Sequence, residues 1–403
     1  MTGKANANAA ASIDIRIVDH DEFVDFDVNH YAFGATPSAR NLDDARKRIP
    51  YLADATAIAA FEDGQPQATA VVHSMTQHVR GRILPMGGIG GVASLPAGRR
   101  KGTVRKLMVH SFEMMRDRGE NVSALYPFRD SFYERLGYAG FPKPRYLKLK
   151  PEVLGPLVRM PKPGDTEQVL MSEGFDAWRG FLETYQHDHH GFSLKALSNA
   201  VSDRDENAAW IAFVREHGEI TGAMTFRITG YGGSLHAETF YYRTNTARYQ
   251  LLDWIGRHVD QVKDAWIKLG PRELPELWYG DLNAETSTTF EHAWPAPMAR
   301  IVAVAGLGGL EAGDGRIAID LVDELCPWNA AVWTLTGSGG ALTVEPGGTP
   351  ECRITIQGLS ALVYCGHDPA DFVYRGWGDL GAGAQRMLRS LFPPAFPVLH
   401  EQF

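Results

Sequence analysis

The chain has 403 residues, 44% of them hydrophobic, 10% aromatic and 22% charged, with a formal net charge of −8. This composition carries no bias toward disorder, and the length leaves room for two or three globular domains. The acidic balance excludes a field that would hold nucleic acid, so any phosphate binding has to be local, and a cationic partner or substrate is mildly favoured.

Residues 1–12, MTGKANANAAAS, lack the apolar core of a signal peptide and read as a disordered tail. Residues 13–150 mix helices and strands. IDIRIV alternates as a strand, DDARKRIPYLA looks helical, and TAIAAFED and QATAVVHSMTQHV read as neighbouring strands joined at Gly-Gln-Pro. The strand GGIGGVAS then runs into a proline turn and Arg99, Arg100, Lys101 and Gly102. A helix follows at once, with Val104, Leu107, Met108, Ser111, Phe112 and Met115 on one face. Cations and free N–H groups at one helix start suit a pyrophosphate, and Gly102 lets the backbone approach closely. R-x-x-G alone is a weak signal, since most such basic strings are solvated surface. A buried strand, NVSALY, and a short helix, DSFYERLGY, complete the unit.

Residues 151–297 form a second mixed unit, entered through the Pro-rich stretch FPKPRYLKLKPEVLGP. Within it SLHAETFYYRTNTARYQLLDWIGRHV repeats the order strand, turn, helix, without a glycine-bearing basic turn and so without a phosphate site. His187, His189 and His190 cluster in YQHDHHG, but neighbouring loop ligands rarely converge on a metal without a further partner, and no metal is expected. In residues 298–403, ARIVAVAGL, GRIAIDLVD, AVWTLTGSGGALTVEP and CRITIQGLSALVYCG read as strands and AGAQRMLRSLF as a helix. Trp328, Trp333 and Trp377 are expected in that unit's core. Cys326, Cys352 and Cys365 offer neither an even count nor C-x-x-C spacing, which argues for buried thiols in a reducing cytoplasm. No stretch is long and apolar enough to span a bilayer.

From the R-x-x-G turn through Phe-Tyr-Glu-Arg-Leu-Gly-Tyr, residues 88–138 resemble the GNAT acetyltransferases. The resemblance implies acetyl-CoA as co-substrate. Val92 and Ser94 would pair with the pantetheine arm, and Arg99, Arg100, Gly102 and the adjoining amides would hold the pyrophosphate. Val104 departs from the Gly or Ala usual at its position. Tyr133 stands where the family places the proton donor to the leaving thiolate; its alternative is to pack the short helix on the sheet, and Tyr126 and Tyr138 are lesser candidates. GGIGGVAS carries no ionisable side chain, so the base has to come from elsewhere.

Beyond the tail, the whole chain resembles the enhanced intracellular survival (Eis) family. That implies an α+β, α/β architecture of two GNAT-like mixed-sheet domains in tandem, at 13–150 and 151–297, and a sterol-carrier-like α+β domain at 298–403. In that family the free carboxylate of an aromatic last residue enters the first domain's active site as general base. Here the last residue is Phe403, after the apolar, Pro-rich FPPAFPVL. Asp25, Phe33 and Glu401 are the candidates to bind an acceptor amine, with Gln402 where aminoglycoside-acetylating members carry an acid. The expected acceptor is an aminoglycoside-like or other small polyamine, or a lysine side chain. The resemblance further implies a homo-oligomer, a hexamer in the family's pattern. A non-catalytic protein binding acyl-CoA or lipid is the competing expectation.

Overall fold

The computed structural model describes residues 13–34, 42–280, 282, 284–289, 295–364 and 366–403; the expected tail at 1–12 and Cys365 lie outside the described residues. In the first sheet β1 (Asp14–Val18), β2 (Ala55–Glu62), β3 (Gln65–Val79) and β4 (Arg82–Ser94) are successive antiparallel neighbours. β5 (Val122–Leu125) runs parallel to β4. The β2–β3 hairpin turns at Asp63 and Gly64, both at positive φ (52° and 74°), one step before the expected Gly-Gln-Pro, because a two-residue turn of this hand matches the strand twist.

Among the described residues five helices belong to this region: α1 (His20–Asp25), α2 (Asp27–Phe33), α3 (Leu42–Arg46), α4 (Thr103–Asp117) and α5 (Asp130–Glu134). α4 buries Leu107, Met108, Ser111, Phe112 and Met115 against the sheet, the face its 3.6-residue period predicts, while Val104 is half-buried beside them. β6 (Ala139–Gly140) does not pair with β5. The strand Met298–Ile301, from the third unit by sequence, lies between them. Its Arg300 is wholly buried, with Asp323 at 2.6 Å, the Leu136 carbonyl as acceptor and the Phe112 ring 4.3 Å below the guanidinium.

β7 (Arg145–Leu149) leaves the first sheet altogether and lies in the second, between Asp264–Leu269 and Glu285–Ser287. In return Ser193–Lys195 pairs with β3. The sheets therefore divide one strand away from the expected boundaries at 150 and 297, since pairing follows space rather than sequence order. The second sheet continues through Ser234–Ala237, Glu219–Ile228, Trp210–Glu216 and Asp165–Leu170. One of its faces (Leu147, Leu149, Leu235, Ala265, Ile267) packs on the helix Asn245–Gly256. That helix has no open N-terminus: the Thr244 hydroxyl accepts the Ala247 N–H at 3.0 Å.

The third unit has a four-stranded sheet ordered Ala341–Pro346, Val332–Ser338, Gly315–Val322, Cys352–Thr355, with helices Ile356–Tyr364 and Ala382–Leu391. CRITIQGLSALVYCG is thus a strand only to Thr355. Ile356–Tyr364 is a helix buried nearly all round, and an all-apolar run carries no period to tell helix from strand. Trp333 and Trp377 are buried there, but Trp328 packs toward α4, under the Arg116 guanidinium at 4.4 Å. The core is continuous with the first sheet, where Val79, Leu84, Met86 and Val122 join Leu335, Leu359 and Leu362. Arg80, buried at the end of β3, donates to the carbonyls of Leu362, Val363 and Pro393 and so fastens the third unit on. No helix among the described residues is long and apolar enough to cross a membrane.

Candidate active site

The site begins where two parallel strands part. β4 and β5 pair from Met86–Val122 to Ile89–Leu125; β5 then ends while β4 runs on to Ser94. Against β3 the register shifts between Thr69 and Val71, opposite Gly91, whose φ is +57°. A bulge of this kind bends its strand and raises the local twist. On the β5 side, residues 90–94, Val92 and Ser94 included, have no strand beside them among the described residues.

At the far end of this open edge α4 starts at Gly102, in the left-handed region at φ 78° and without a side-chain cap. The N–H groups of an uncapped first turn have no intrahelical acceptor. A Cβ on Gly102 would meet nothing within 4 Å, so the approach is clear. Arg99, Arg100 and Lys101 are exposed around it; Arg100 holds a positive φ of 62°, Arg99 reaches the Ser94 carbonyl at 3.4 Å, and Lys101 pairs with Glu62 at 2.8 Å. Val104 packs partly into the core, so its bulk is turned inward.

The three tyrosines separate by their partners. Tyr138 is fully buried, sharing a 2.8 Å hydrogen bond with Ser123, which donates to the Gly87 carbonyl. Tyr126 donates to the Glu401 carbonyl at 3.0 Å. The hydroxyl of Tyr133 has no hydrogen bond among the described residues. Its ring is enclosed by Phe128, Phe132 and Tyr138, and burial pushes its pKa up to about 12.

The C-terminal tail threads between the first two sheets. The Val398 N–H donates to the His190 carbonyl at 3.0 Å; His400, half-buried, stacks on Phe192 with centroids 4.8 Å apart and meets the Tyr241 hydroxyl at 2.7 Å. Glu401 is buried, with its carboxylate 3.3 Å from the Lys195 ammonium and accepting the Lys195 N–H at 3.2 Å. The chain then delivers Phe403 onto β4. A Cβ on Gly88 would lie 2.9 Å from the Phe403 ring, and one on Gly90 would lie 3.2 Å from its carboxyl carbon. Bare glycines make the groove in which the tail ends.

His73, which sequence reasoning missed, completes this end. It sits opposite Gly88 in the β3–β4 register, its ring 6.0 Å from that of Phe403. Asn199 Nδ2 lies 3.3 Å from its Nδ1, so with the amide donating the ring proton is on Nε2, the atom facing Gly90. Burial, then the charges of Lys195 and His20, lower its pKa to about 4. In a single sequence it is an ordinary strand residue, and only the register reveals it.

The other candidates are placed as follows. Asp25 is exposed and paired with Arg46 at 2.7 Å, and Phe33 is 67% exposed at the end of α2. α2 itself lies over the bulge, where the Thr69 hydroxyl donates to Asn29 at 2.9 Å. Glu401 offers no free charge to an acceptor, because Lys195 neutralises it. His189 and His190 are tied to the carbonyls of Tyr185 and Tyr364, each at 2.8 Å. Burial pushes the Cys326 thiol up to about 12 and the Cys352 thiol to about 11, which leaves both unreactive.

Residues 14–140 match the family described as an acetyltransferase (GNAT) domain, and residues 302–400 match the sterol carrier protein domain. No curated protein matches the chain. Among solved structures it is similar to a GCN5-related N-acetyltransferase from Anabaena variabilis (TM-score 0.83, 17% identity, 97% of this chain and 100% of that one). It is similar also to a GCN5-related N-acetyltransferase from Kribbella flavida (0.79, 20%, 97% and 99%) and to Eis1 from Mycobacterium abscessus (0.74, 18%, 97% and 100%). At these identities the likeness is one of fold, and it spans all three units. The chain thus carries a GNAT acetyltransferase domain at one end and a sterol carrier domain at the other, on a mixed α/β frame.

Proposed function

We propose that the protein is an N-acetyltransferase of the Eis type, moving an acetyl group from acetyl-CoA to a primary amine of a small molecule or a lysine side chain. The observation that carries this reading is the Phe403 carboxyl group lying against Gly90, within a stretch of β4, residues 87–94, that has no ionisable side chain. The open edge of β4 at Val92 and Ser94 suits the pantetheine amides. Arg99, Arg100, Gly102 and the uncapped amides of α4 suit the pyrophosphate. The amine nitrogen forms its bond to the thioester carbonyl carbon, and the Phe403 carboxylate, ionised at neutral pH, takes the proton directly or through one water. The C–S bond then breaks and Tyr133 protonates the sulfur. A phenol near 12 stays protonated throughout the neutral range and meets a thiolate whose own basicity rises in the same dry surroundings. His73, with its proton on Nε2, is placed to steady the carboxylate.

A purely lipid-binding role is disfavoured because Ile317, Ile319, Trp333 and Leu335 fill the third unit's interior and its tail serves the first unit. The expected homo-oligomer and cytoplasmic setting belong to the same proposal. Mixing the protein with acetyl-CoA and a panel of amines and following thiol release tests it. Turnover with at least one primary amine is expected; no turnover together with no acetyl-CoA binding by calorimetry would sink it.

A further inference from the structure

The second sheet has two unlike faces. Strand alternation turns Leu147, Ala265 and Ile267 into the core and, on the other side, Tyr146, Lys148, Trp266, Lys268 and His236 into a cavity of about 1330 Å³. The cavity reaches the tail, since Val398, His400, Glu401 and Gln402 also line it and a Cβ on Gly270 would lie 3.5 Å from the Val398 side chain.

Some charges in this space are matched, while Lys148, Lys263, Asp203 and Asp264 line it without an ion pair among the described residues. Glu401 is paired with Lys195 and Glu238 with Arg227. Lys268 is not. Its ammonium has no ion pair or hydrogen bond among the described residues, although burial lowers its pKa against the pull of Glu238, and its charge helps keep the neighbouring His400 neutral. Lys148, diagonal to it across the β7 pairing, rests 4.9 Å from the Trp266 ring centroid and stands opposite Glu285 in register, with no ion pair among the described residues. The one carboxylate on the same strand face with a buried, unbonded oxygen is Asp264, four residues and so about 13 Å away along the strand. An ammonium with no ion pair of its own, facing a roomy cavity, is placed to pair with an anionic group of a bound ligand.

We propose that Lys268 binds a carboxylate carried by the acceptor, so that the substrate is an amino acid or a related amine bearing one acidic group rather than a polycation. This rests on the acetyltransferase reading and narrows it. The amine lies toward Phe403 and the carboxylate toward Lys268, whose neighbour His400 is three residues, at most about 11 Å of chain, from Phe403. Lysine is a compact point charge on a flexible stem, which suits one monoanion better than a dianion held bidentately.

The probes are 4-aminobutanoate and its neutral amide, each with acetyl-CoA. The wild type is expected to acetylate the acid at least tenfold more efficiently in kcat/KM, and Lys268→Met to lower that acid-to-amide ratio at least tenfold. Lys268→Arg, which keeps the charge, is expected to restore most of the ratio. Calorimetry of both probes without acetyl-CoA separates the two proposals. Tighter binding of the acid, lost in Lys268→Met, upholds the carboxylate site even if no acetyl group moves, and that absence of turnover counts against the acetyltransferase reading alone. Equal binding and equal turnover of acid and amide, or a ratio untouched by Lys268→Met, would overturn the carboxylate site.

Discussion

Gly90 and Phe403 are separated by most of the chain and meet at a spacing that leaves little room for a side chain: a Cβ on Gly90 would stand 3.2 Å from the Phe403 carboxyl carbon, so even one methyl would require a shift of a few tenths of an ångström. Gly90→Val is therefore expected to push the tail out of its groove and cut kcat at least about 100-fold, the low side of what a positioned proton acceptor contributes. Acetyl-CoA affinity should fall far less, because the proposed phosphate cradle around Gly102 lies beyond the far end of the strand. Steady-state kinetics beside calorimetric titration with acetyl-CoA checks this.

Tyr133→Phe removes only an oxygen from a buried ring. We expect kcat to drop about 100-fold, the lower range for a lost general acid, with little change in melting temperature. Tyr126→Phe should do the opposite. It breaks the bond to the Glu401 carbonyl, and its cost of about 1 kcal/mol should be read in denaturant unfolding.

At the proposed phosphate cradle, Gly102→Ala places a side chain at φ 78°, which costs about 1 kcal/mol of stability. Arg99→Ala and Arg100→Ala should each raise the KM for acetyl-CoA several-fold and weaken its salt dependence, leaving kcat nearly unchanged. Measuring KM between low and high salt in the three variants tells backbone strain from lost charge.

His73 makes stability depend on pH. Its folded pKa of about 4 lies below the unfolded value of 6.5, so above pH 6.5 both states are neutral and nothing changes. Between 6.5 and 4 only the unfolded chain takes the proton, and stability falls as pH falls, by up to about 3 kcal/mol from this residue. His190, lowered to about 3, acts with the same sign. Urea unfolding at pH 7 and pH 5 should show the loss, and His73→Gln should reduce it.

Much of the first unit was legible because its signals are local. The α4 face, the Gly102 turn, the short helix with Tyr133 and the hairpin strands all follow from periodicity and turn chemistry within a few residues. The swapped strands were not legible. Arg145–Leu149 and Met298–Ile301 look like any strand, and nothing in their residues says which sheet will take them. Ile356–Tyr364 was misread because an all-buried helix has no polar face to mark its period. His73, Lys195 and Lys268 escaped notice for a related reason: each gains its meaning from a neighbour more than 70 residues away. Phe403 was found through resemblance, and the glycines of β4 supply the physical reason for its seat.

The most direct test of the account is to append a single alanine after Phe403. This keeps the ring but turns its carboxylate into an amide and moves the free carboxylate one residue on. If the Phe403 carboxylate is the base, thiol release from acetyl-CoA with the best amine should fall at least about 100-fold while acetyl-CoA binds as before. Turnover within about twofold of the unextended chain would contradict the shared site.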